Sequence, residues 1–147
     1  MNSSSTPNPT TQAEPFAFPL LWAVAISCHC DLPDEGLARE KIKEQLALLQ
    51  DAAAAQKAGL VAVSSIEPGA DLIFAEECLV AGIPWKCVLP FPKDEFQKDK
   101  FNEDANGWSR AEKCLKQAFL IKEISVGIPV EEAAKKLIYK ECRHRTI

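Results

Sequence analysis

The stretch that most constrains this chain is Leu60-Val61-Ala62-Val63, which breaks at Ser64-Ser65-Ile66-Glu67-Pro68-Gly69-Ala70-Asp71 into a helical run, Leu72 to Gly82, and then a second apolar run, Trp85 to Leu89. It reads as strand, tight loop, helix, strand. A β-branched run that turns sharply into a helix N-terminus presents backbone N–H groups and a positive dipole end at one edge of a sheet. Where strands and helices alternate, that edge is where open parallel sheets take up anionic ligands. The same alternation recurs on both sides of this stretch and sets the fold class.

Before it, Phe18 to Ser27 is a continuous apolar run without polar alternation, as a strand covered on both faces requires. Asp31-Leu32-Pro33-Asp34-Glu35-Gly36 is turn chemistry, with Asp31 or Asp34 as helix cap. Leu37 to Ala58 carries Leu37, Ile42, Leu46, Leu48 and Leu49 at helical spacing, and Gly59 is placed to end that helix. After it, Lys93 to Lys100 forms a short charged helix, and Asn102 to Gly107 reads as a loop. Ser109 and Glu112 make a capping box for a helix to Gln117. Phe119 to Val126 is a fourth strand and Pro129 to Glu141 a last amphipathic helix, with Val130, Ala133, Ala134, Leu137 and Ile138 on one face. The expectation is an α/β fold, a three-layer Rossmann-like parallel sheet of about four strands with helices on both faces. Residues 1–15, poor in apolar groups, are expected to be a disordered leader, and residues 16–147 one domain lacking a last strand.

Charge and cysteine usage narrow the function classes. A net charge of −4 with scattered Lys and Arg disfavours a nucleic-acid groove, leaving at most a small basic site around Lys86 or Arg110. Six cysteines fall within apolar patterns with no CxxC spacing, so they read as small core residues of a reducing, cytoplasmic compartment. Cys28-His29-Cys30 alone clusters donor atoms, with no second cluster at zinc spacing, so no metal is expected. The apolar run before Cys28 has Glu14 and Pro15 where a signal would have positive charge, and it is too short to span a bilayer. No membrane partner is expected.

The segment Ser64 to Glu77, with Ile83-Pro84-Trp85-Lys86-Cys87-Val88-Leu89-Pro90-Phe91-Pro92 behind it, resembles the SLOG superfamily of Rossmann-like nucleotide-binding domains, which includes the DNA-processing protein A and Lonely Guy families. The similar features are a Ser-Gly loop leading to Gly-Ala-Asp and a third strand ending in Val-Leu-Pro. More weakly, Cys28-His29-Cys30-Asp31-Leu32 is similar to the family's Gly-His-Arg-Asp-Leu. The resemblance implies a site built from His29 and Asp31 after the first strand, Ser64, Ser65, Gly69, Ala70 and Asp71 after the second, and Pro90 after the third, with Glu76 as a further ligand-facing candidate. It departs at Ser65, where the family has Gly, and at Pro68, which removes a loop N–H.

The implied function is noncatalytic binding or sensing of a nucleotide or nucleotide-derived small molecule, without a cofactor, in a homodimer or beside a linked effector domain. Two alternatives stand beside it. One is a phosphoribohydrolase-like enzyme using Glu76 or Asp71, although the Pro-Gly-Gly and Gly-Thr motif of that branch is incomplete here. The other is a degenerate scaffold that pairs through a sheet edge.

Overall fold

The computed structural model describes residues 20–27 and 32–124. The leader at 1–15, the cluster around His29 and Asp31, and the helix expected over Pro129 to Glu141 lie outside the described residues. Within them the chain runs β1 (Leu20–Ala25), α1 (Glu35–Ala55), β2 (Ala58–Ser64), α2 (Ala70–Val80), β3 (Trp85–Leu89), α3 (Lys93–Lys100), α4 (Ala105–Gln117) and β4 (Leu120–Glu123). The four strands form one sheet in the order β1-β2-β3-β4, and every neighbouring pair is parallel. This is the α/β, all-parallel architecture expected from the alternation of apolar runs and helical segments.

Register explains the burial pattern. Ala62 pairs with Trp85 and Ser64 with Cys87, so Ala62, Ser64, Trp85, Cys87 and Leu89 line one face of the sheet. There they meet Leu46 of α1, Leu72, Phe74, Ala75 and Cys78 of α2, and Trp108, Ala111, Cys114 and Leu115 of α4 in one continuous core. The aromatic rings of Phe96, Phe101 and Trp108 continue it, with centroids 6.1 Å and 5.4 Å apart in succession. Each large side chain fully withdrawn from water here, such as Trp85, Phe96 or Leu89, contributes on the order of 1.5–3 kcal/mol. On the other face Val61 and Val88 are buried too.

Two helix boundaries differ from the sequence reading. The helix before β2 does not run on to Gly59. It ends at Ala55, Lys57 takes the left-handed turn with φ 54°, and Ala58 and Gly59 join β2 opposite Leu20 and Leu21. Sheet pairing with β1 therefore claims the glycine that local chemistry reserved for a cap. The second is the start of α4. Asp104 caps it by accepting from the Gly107 N–H at 2.8 Å, one turn before Ser109, so residues 105–107 are helix and not loop. A Cβ at Gly107 would lie 2.1 Å from Asp104 Oδ2, which is why a glycine stands inside that first turn. Asp34 caps α1 as anticipated, accepting from Leu37 N–H at 2.9 Å. Gly82, with φ 73°, ends α2.

Candidate functional site

The loop between β2 and α2 leaves the carboxyl edge of the sheet beside the one that follows β3. Its two serines have opposite environments. Ser64 is 1% exposed; its hydroxyl accepts a hydrogen bond from Trp85 Nε1 at 2.9 Å and donates to the Ser65 carbonyl at 2.8 Å. Its oxygen thus ties β2 to β3 while its proton is committed to the loop. Ser65 is the first residue after β2, and its Oγ is shielded from solvent with no hydrogen-bond partner among the described residues. An unpaired buried hydroxyl costs about 1–3 kcal/mol, so it needs a reason to persist.

Gly69 stands at the N-cap of α2 with φ 98° and ψ −132°, a cap residue with no side chain of its own. Only glycine adopts that backbone without strain. The Leu72 N–H donates to the Glu67 carbonyl and the Ile73 N–H to the Gly69 carbonyl, each at 3.2 Å. Ala70 is buried at the start of the helix, and Asp71 lies in its first turn, where a carboxylate is favoured by the helix dipole. The loop floor is Ile66, with Leu89, Pro90 and Phe91 buried at the end of β3. Glu67 is 7% exposed, with Lys100 Nζ 3.9 Å from its carboxylate.

Of the residues singled out in the sequence, Ser64, Ser65, Gly69, Ala70 and Asp71 therefore share one loop and helix start, and Pro90 ends the neighbouring strand. Glu76 belongs to a different environment, more than a helical turn along α2. Its carboxylate accepts from Arg39 at 3.2 Å and from both Nε and an Nη of Arg110, the former at 3.3 Å, while Arg39 also reaches Glu77 at 2.7 Å. Burial alone would raise the Glu76 carboxyl, but hydrogen bonds and charge from Arg110 and Arg39 outweigh it and hold it below the usual carboxylate range. The hydrogen bond to Glu77 raises Arg39, and that to Glu76 raises Arg110.

Arg39 is the partner that sequence reasoning missed. It sits on α1 with no local motif, and only the packing of α1 on α2 brings it to Glu76 and Glu77. Arg110, a candidate for a basic site, is an ion-pair partner instead, and Lys86 is half-buried on β3. Among the described residues no group of three or more His, Cys, Asp or Glu side chains is arranged to hold a metal ion. Among them, too, no helix is long and apolar enough to cross a membrane.

The described strands thus define an α/β domain with a four-stranded parallel sheet, and a loop-to-helix junction at its carboxyl edge. No protein-family model matches the chain, and no curated protein is significantly similar to it. The strand order among the described residues does not reverse, so this junction is flanked by loops running in the same sense and not by the diverging pair that opens a crevice in doubly wound sheets.

Proposed function

We propose that this chain is a noncatalytic domain that binds a nucleotide or nucleotide-derived small molecule at the β2–α2 junction. The observation that carries this reading is Gly69: a residue in a glycine-only conformation at a helix N-cap, where it brings no side chain of its own. Such a junction lets a ligand approach the backbone where the helix dipole favours negative charge. The neighbouring Ser65 hydroxyl is shielded from solvent and has no hydrogen-bond partner among the described residues.

Calorimetric titration with nucleoside mono-, di- and triphosphates, cyclic nucleotides and ADP-ribose-type ligands tests the proposal. Saturable binding to one member of the panel, weakened at least tenfold by Gly69→Ala, is the expected result. Absence of heat at millimolar ligand, with the protein shown to be folded, overturns it. The phosphoribohydrolase alternative gains no support from Glu76, whose two carboxylate oxygens already accept from guanidinium groups. Incubation with nucleoside monophosphates should release no base.

A further inference from the structure

We draw no further inference here: the strongest candidate, the uncharged edge strand β1 with Leu20 and Leu21 exposed, is an apolar edge, and nothing in the structure shows what covers it.

Discussion

Ser64 and Ser65 are chemically identical neighbours whose deletion should have opposite consequences. Ser64→Ala leaves the buried Trp85 indole N–H without its acceptor, a loss of about 1–3 kcal/mol that a lower urea midpoint would report. Ser65→Ala removes a shielded hydroxyl that has no partner, so the ligand-free protein should be as stable as the parent or slightly more stable. If both variants fall equally in stability, the distinction drawn from their hydrogen bonds is wrong. Gly69→Ala belongs to the same scale: φ 98° forces strain of about 1–3 kcal/mol on any residue with a Cβ, seen as a lower melting temperature. The special role of Gly69 was legible from its position between an apolar strand and a helix. The role of Ser64 was not, because its partner Trp85 is 21 residues away and meets it only once β2 and β3 are in register.

Helix α2 is held from both sides by charge. Arg39 of α1 and Arg110 of α4 converge on Glu76, while Glu77 takes the second arm of Arg39. These side chains are partly buried, so the contribution of the pairs is a Coulomb gain, stronger than at an exposed site, less the cost of desolvating the charges. Because the folded protein holds the Glu76 carboxyl below its usual range, this contribution is complete above the unfolded value, about pH 4.3, and is lost as pH falls through the lower folded value. Stability measured from ~pH 6 to ~pH 3 should therefore fall more steeply in the parent than in Glu76→Gln, which has no carboxylate to titrate there. Parallel slopes would exclude Glu76 as a contributor. Helical spacing made α1, α2 and α4 recognisable from the sequence, yet their ends were less so. Ser109 with Glu112 satisfied the capping pattern, but Asp104 reaches the first turn because Gly107 leaves room for its carboxylate. Gly59 satisfied the stop pattern, but β1 recruited it into the sheet. In both cases a local signal competed with a contact that exists only after packing.

At the scale of the whole molecule, Cys78, Cys87 and Cys114 are buried and form no disulfide among the described residues, which fits their reading as small core residues. Burial, with the nearby Glu77 charge, pushes the Cys78 thiol up to about 12, and burial with the Glu76 charge pushes Cys114 up to about 11. Neither forms appreciable thiolate near neutrality, and the thiolate is the reactive species. Brief alkylation at about pH 8 followed by peptide mass mapping should leave these positions unmodified in the folded protein and label them after unfolding. Rapid native labelling of Cys78 or Cys114 would show that the α2–α4 side of the core opens readily. The strand order carries a different consequence, for how the chain reaches this state. Each described strand joins the outer edge of the one made just before it, so no strand has to be threaded between two that are already paired. A chain emerging from the ribosome amino end first can consolidate β1 with β2 before β3 exists, and then add β3 and β4 in turn. The strand order lets assembly follow the direction of synthesis, with the edge left open at each stage being the one the next segment covers.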